Sequence, residues 1–107
     1  RKSITTILNQ SQTGALFESW SDFLSYLTLK IEIPNEDFII LNSTSLIKKT
    51  EELLNRYSTL KVFFDNDTAG KNTLDFIKKK ANSKVLDCSG HYSGHEDLND
   101  YLVNLKE

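Results

Sequence analysis

Leu60-Lys61-Val62-Phe63-Phe64-Asp65-Asn66-Asp67-Thr68-Ala69-Gly70 is the stretch that decides the fold. Its first five residues read as a strand, its acidic middle as the turn where that strand opens, and its end as the entry to a helix. That helix runs through Ala81, with Leu74, Ile77 and Ala81 facing inward. Lys78, Lys79 and Lys80 near its end complement the helix dipole and are read as solvated residues rather than as a nucleic-acid patch.

The same strand-then-helix unit recurs on both sides of this stretch. Gly14 to Glu18 is a short apolar run, followed by Trp20 to Leu29 with Phe23, Leu24, Tyr26 and Leu27 at helical spacing and Ser21 as a plausible N-cap. Phe38-Ile39-Ile40-Leu41-Asn42 is too apolar for a half-exposed strand and suits a buried central one. Ser45 can cap the helix after it, whose stripe is Leu46, Leu53, Leu54 and Tyr57. Lys84 to Cys88 is a fourth strand, Ser89 to Gly94 a loop, and a last helix starts near His95 with Leu98, Tyr101, Leu102 and Leu105 on one face. Four such units predict an α/β fold, a Rossmann-like open sheet of about four parallel strands with helices on both faces. Pro34 and Asn35 mark a turn between the first two units. Residues 1–12 stand outside the rhythm, with Ile4 to Leu8 either an edge strand or the tail of a preceding region; residues 13–107 form the domain.

Composition narrows the class further. The chain has 107 residues, 13 Lys and Arg against 15 Asp and Glu, 38% hydrophobic residues and a single cysteine. That is an ordinary globular domain, and it excludes disordered, collagen-like and disulfide-stapled chains. Cys88 has no partner for a disulfide and is a poor start for a zinc site, which points to a reducing, cytoplasmic setting. No apolar run approaches the roughly 18 residues of a membrane span, so no membrane partner is expected. The start at Arg1 without Met suggests a piece of a longer protein. A net charge of −2 argues against gripping nucleic acid by bulk electrostatics; other domains or metal ions must help.

Acidic residues fall where such a sheet places its crevice, beyond the carboxyl ends of the strands. Glu18 closes the first strand, Asp65 and Asp67 close the third, Asp97 and Asp100 open the last helix, and Asp22 lies four residues after Glu18. In Asp65-Asn66-Asp67 the i and i+2 carboxylates can face one cation, while Gly70 lets the chain turn close by. All-oxygen ligands of this kind suit Mg²⁺. Turn chemistry alone also explains Asp-x-Asp-x-x-Gly, and either Asp65 or Asp67 can cap the third helix. Dipole complementation equally accounts for Asp97 and Asp100. His91 and His95 read as polar loop residues, and Cys88 as a small buried apolar one.

Taken in order, these residues resemble the Toprim domain of bacterial primases, topoisomerases and related nucleases, and most closely the primase-like Toprim domains of bacterial mobile elements. Leu16-Phe17-Glu18-Ser19-Trp20-Ser21-Asp22 is similar to its Glu-Gly motif, with Ser19 in place of the usual Gly. Val62 to Gly70 resembles its Asp-x-Asp motif, and Asp97-Leu98-Asn99-Asp100-Tyr101-Leu102 its Asp-x-Asn-Asp-aromatic-Leu ending. The resemblance implies Mg²⁺ (or Mn²⁺) held by Asp65 and Asp67, with Glu18 as general acid or base, or a further ligand, in phosphoryl or nucleotidyl transfer; Asp22, Gly70, Asp97 and Asp100 support them. It implies DNA and nucleotides as partners of the full-length protein, with further domains such as a zinc ribbon or a helicase.

Two other doubly wound families share part of the pattern. Haloacid-dehalogenase-like phosphatases also use strand-Asp-x-Asp-x-Thr, but that motif opens their domain and its partners need more than the 39 residues left after Thr68. A response-regulator receiver needs paired acids after its first strand, where this chain has Glu18-Ser19. A Toprim nuclease and a non-catalytic scaffold that binds DNA or protein remain alternatives within the same fold.

Overall fold

Apolar side chains at consecutive strand positions must go to opposite faces of a sheet, so a sheet built from the runs above needs cover on both sides. The computed structural model, which describes residues 4–30, 32, 35–42 and 51–105, has this arrangement. The elements are β1 (Thr5–Ile7), β2 (Thr13–Phe17), α1 (Trp20–Leu29), β3 (Asp37–Ile40), α2 (Glu51–Leu54), β4 (Thr59–Phe63), α3 (Thr68–Lys80), β5 (Lys84–Asp87), a 3-10 turn (Ser89–Tyr92) and α4 (Leu98–Leu105). The sheet order is β1-β3-β2-β4-β5. β2, β3, β4 and β5 are parallel, while β1 pairs antiparallel with β3 at one edge.

One face carries Leu16, Ile39, Leu60 and Val62 against Leu54, Tyr57, Leu74 and Ile77 of the α2–α3 side. The other carries Ala15, Phe17, Phe38, Ile40 and Phe63 against Phe23, Tyr26, Tyr92 and Leu98. Phe17 stacks on Phe63 with ring centroids 5.0 Å apart. Full burial of one such side chain contributes roughly 1.5–3 kcal/mol, which is why both layers can hold a sheet this small.

Register fixes the level of the strand ends. Phe17 of β2 pairs with Ile40 of β3 and with Phe63 of β4, so Glu18 and Phe64 leave the sheet at the same level. The chain passes from β2 to β3 on one side and returns to β4 on the other, which opens a crevice at the carboxyl end of β2.

Several local expectations shift. Ser19, not Ser21, caps α1, because its side chain accepts from the Asp22 N–H three residues on. Leu24 and Leu105 are exposed, so the apolar stripes of α1 and α4 are narrower than their spacing suggests. Helix α4 starts at Leu98 because the chain after β5 first forms a 3-10 turn. Cys88 is half-buried. Pro34, Ser45 and Leu46 lie outside the described residues. Among the described residues no helix is long and apolar enough to cross a membrane.

Candidate functional site

Glu18 and Asp65 meet because their strands end side by side. The Asp65 backbone N–H donates a short hydrogen bond to Glu18 Oε2, which holds the Glu18 carboxylate over the start of the acidic turn. Asp65 Oδ1 is buried and has no hydrogen-bond partner. Such an atom is costly unless something positive reaches it.

Asp22 arrives from α1. It is 1% exposed, takes a hydrogen bond from Ser19 Oγ at 3.1 Å, and accepts the Asn99 N–H at 3.1 Å. The last contact ties the first turn of α1 to the first turn of α4, and it brings Asp97 into the crevice. Asp97 Oδ1 accepts the Asp100 N–H at 2.8 Å, the geometry of a helix cap. Carboxylate oxygens of Asp22, Asp65 and Asp97 lie within 4.8 Å of one another.

Asp67 has a double position. As the N-cap of α3 its Oδ1 accepts the Gly70 N–H at 2.7 Å, so the capping explanation of this residue is correct. Its carboxylate also lies within 4.8 Å of ligand atoms of Asp65 and Glu96. Gly70 is required by space: a Cβ there would sit 2.2 Å from the Asp65 carbonyl oxygen. A side chain at this position would therefore push the acidic turn out of place.

Crowding of like charges shows in the protonation of the site. Burial pushes the Asp65 carboxyl up to about 8, helped by its hydrogen bond to Glu18 and by the charges of Glu18, Asp97 and Asp67. Burial also raises Glu18, against the hydrogen bonds from Asp65 and together with the charges of Asp67 and Asp22. Asp22 rises to about 6, first through burial and then through Asp97. A divalent cation would reverse all three effects at once. An all-carboxylate donor set with one orphaned buried oxygen fits a hard, oxygen-seeking ion such as Mg²⁺ rather than a soft one.

Of the residues expected from sequence, the structure gathers Glu18, Asp22, Asp65, Asp67 and Asp97, with Gly70 behind them. Asp100 is not in either carboxylate group; it is exposed and lies 3.2 Å from His95 Nδ1. Two residues were not foreseen. Glu96 joins Asp65 and Asp67, although it is only the neighbour of the expected Asp97. Asn66, the middle residue of Asp-x-Asp, bonds across to the chain before α4. No local signal announces either, since both depend on a contact between distant segments. A cavity of about 460 Å³ lies between α1, α4 and the sheet, lined among others by Tyr26, Lys61, Phe63, Cys88 and Tyr101.

A family model described as Toprim-like matches residues 15–102. Among solved structures, the primase fragment of the bacteriophage T7 primase-helicase protein superposes with a TM-score of 0.67 at 21% identity, over 94% of this chain and 42% of that one. The bacteriophage T7 lagging-strand DNA polymerase interacting with primase domains of two gp4 subunits, bound to an RNA/DNA hybrid and dTTP, gives 0.66 at 21% identity, over 92% of this chain and 51% of that one. This chain thus spans about half the length of the structures it resembles, and at this identity the likeness is one of fold. A comparison with curated proteins found no match. Because the family match runs from β2 to α4 and takes in every carboxylate of the crevice, the chain belongs to the Toprim-like family.

Proposed function

We propose that this domain is the catalytic module of a primase-like protein and carries out divalent-dependent nucleotidyl transfer on nucleic acid. The observation that supports it most is the buried, unpartnered Oδ1 of Asp65 within a crevice of converging carboxylates. Asp65 and Asp67 would hold Mg²⁺ or Mn²⁺, with Glu96, Asp22 and Asp97 close enough to assist. The ion would supply neutralisation of phosphate charge and positioning, which phosphoryl transfer needs more than covalent chemistry by the protein.

Glu18 carries the acid/base role in this reading. Burial raises its carboxyl, so it can hold and release a proton nearer neutrality than an exposed glutamate. The Asp65 N–H fixes its Oε2 and so holds the carboxyl at the crevice. DNA and nucleotides are the proposed partners, reached through other domains, for which a zinc ribbon or a helicase are candidates; a bacterial mobile-element protein of the cytoplasm is the setting that fits the resemblance. A Toprim nuclease is the second reading, because the same crevice can serve hydrolysis.

The test uses the full-length protein. Primer synthesis should depend on Mg²⁺ or Mn²⁺ and fall at least about 100-fold on Glu18→Gln, the scale of a lost general acid or base. Undiminished synthesis by the variant removes Glu18 from the mechanism. Cleavage of DNA in place of synthesis moves the reaction to a nuclease.

A further inference from the structure

Asn66 makes three contacts with one distant segment. Its backbone N–H donates to the Glu96 carbonyl at 2.6 Å. Its side-chain Nδ2 donates to the carbonyls of Tyr92 at 3.2 Å and His95 at 2.9 Å. Two carbonyl oxygens facing one amide fix its orientation, since only the NH₂ end can serve both. Tyr92 itself is fully buried and donates from its hydroxyl to the Phe64 carbonyl at 2.7 Å, one residue before Asp65. The acidic turn and the chain before α4 are therefore latched from both directions.

What the latch carries is the point. One side bears Asp65 and Asp67; the other bears Glu96 and Asp97, whose carboxylates complete the two clusters around Asp65. Four acidic side chains brought together repel one another, so nothing in their own electrostatics keeps the two segments in register. We infer that Asn66 is a positioning residue for cation binding, holding Glu96 and Asp97 in reach of the ion that Asp65 and Asp67 take. This rests on the cation site proposed above. Asn66 does not touch the ion; it acts through the backbone of the segment that supplies two of the carboxylates.

Mn²⁺ affinity of the domain, measured by calorimetry and by the broadening of NMR signals, tests this with the metal-free fold followed separately in EDTA. Asn66→Ala should keep a dispersed amide spectrum in EDTA and bind Mn²⁺ about 10- to 100-fold more weakly, the usual effect of removing a group that orients metal ligands. Asn66→Asp separates positioning from charge. A further carboxylate beside the site would tighten Mn²⁺ binding if charge alone mattered, whereas an acceptor-only side chain opposite two carbonyls breaks the latch and weakens binding. Unchanged affinity in Asn66→Ala, or tighter binding in Asn66→Asp, overturns the assignment. So does unfolding of both variants in EDTA, which makes Asn66 a residue of the fold. Wild-type protein that binds no Mn²⁺ at all overturns the cation site itself, and this inference with it.

Discussion

Replacing Asp65 by Asn tests whether the crevice trades stability for a cation. The substitution keeps the shape of the side chain and removes one charge from a site where Glu18, Asp97 and Asp67 already oppose it. In the folded state the Asp65 carboxyl sits at about 8 instead of its ordinary 3.8. A group raised on folding stabilises most at low pH and loses that contribution between its unfolded and its folded value, so at neutral pH the unfolded chain gains by ionising a carboxyl that the fold keeps largely protonated. In a dry interior the displacement would amount to several kcal/mol at ~1.4 kcal/mol per tenfold. Asp65 is only partly buried, and water in the open crevice reduces this to about 1–2 kcal/mol. Asp65→Asn should therefore raise the melting temperature in EDTA near pH 7.5 by roughly 4–16 °C, at about 4–8 °C per kcal/mol for a domain of this size. Mg²⁺ at about ten times its dissociation constant stabilises the wild type by about 1.4 kcal/mol, a further upward shift that the variant should lack. The assay is thermal unfolding followed by circular dichroism, with and without Mg²⁺. A variant that melts below the wild type in EDTA, or that gains as much from Mg²⁺, refutes the reasoning.

Two further outcomes follow from the same geometry. The metal-free domain should lose stability as pH rises from about 4 to about 6, the window between the ordinary carboxyl value of Asp22 and its raised one. Asp22→Asn should flatten that slope, and an unchanged slope in urea titrations at several pH values would clear Asp22 of it. Asp37, lowered by hydrogen bonds from Tyr57, Asn9 and Ser11 that outweigh its burial, acts in the opposite sense and loses its contribution only at lower pH. Gly70→Ala forces a Cβ against the Asp65 carbonyl, so it should cost about 1–3 kcal/mol in denaturant unfolding and abolish the Mg²⁺ response. Retention of that response would mean that the turn yields without disturbing Asp65.

The parallel sheet was legible because its strands are apolar at consecutive positions, and only a sheet covered on both faces can hide Phe38, Ile39 and Ile40 together. Glu18 and Asp65 were legible for a related reason: strands that end at one level bring their terminal residues together. Helix α1 starts at Trp20 as its spacing predicts, but its cap is Ser19 rather than Ser21, because Ser19 and Asp22 have the i, i+3 spacing of a capping pair and Ser21 has no such partner. Asp67 was left between cap and ligand, and the structure gives it the capping bond while leaving its carboxylate beside Asp65. Asn66 read as a turn former because its partners lie 26 and 29 residues away. Asp100 shares the first turn of α4 with the crevice, but the helix turns its side chain toward His95.

The same arithmetic changes what the net charge means. Fifteen acidic against 13 basic residues is an unremarkable balance over a whole surface. Here Glu18, Asp22, Asp65, Asp67, Glu96 and Asp97 meet at one end of the sheet, and among the described residues the only ion pairs are Lys61 with Glu36 and His95 with Asp100. Among the described residues no crevice acid is held in an ion pair, in a place where burial raises Glu18, Asp22 and Asp65. One Asn or Lys in place of a crevice acid would relieve this, since removing a like charge from such a spot stabilises the fold. Its persistence makes sense if the missing positive charge comes from solution. Phosphate groups become tolerable beside an acidic crevice only with the ion in place, so the proposed function requires cation binding and nucleic-acid binding to be coupled, each strengthening the other by the same factor.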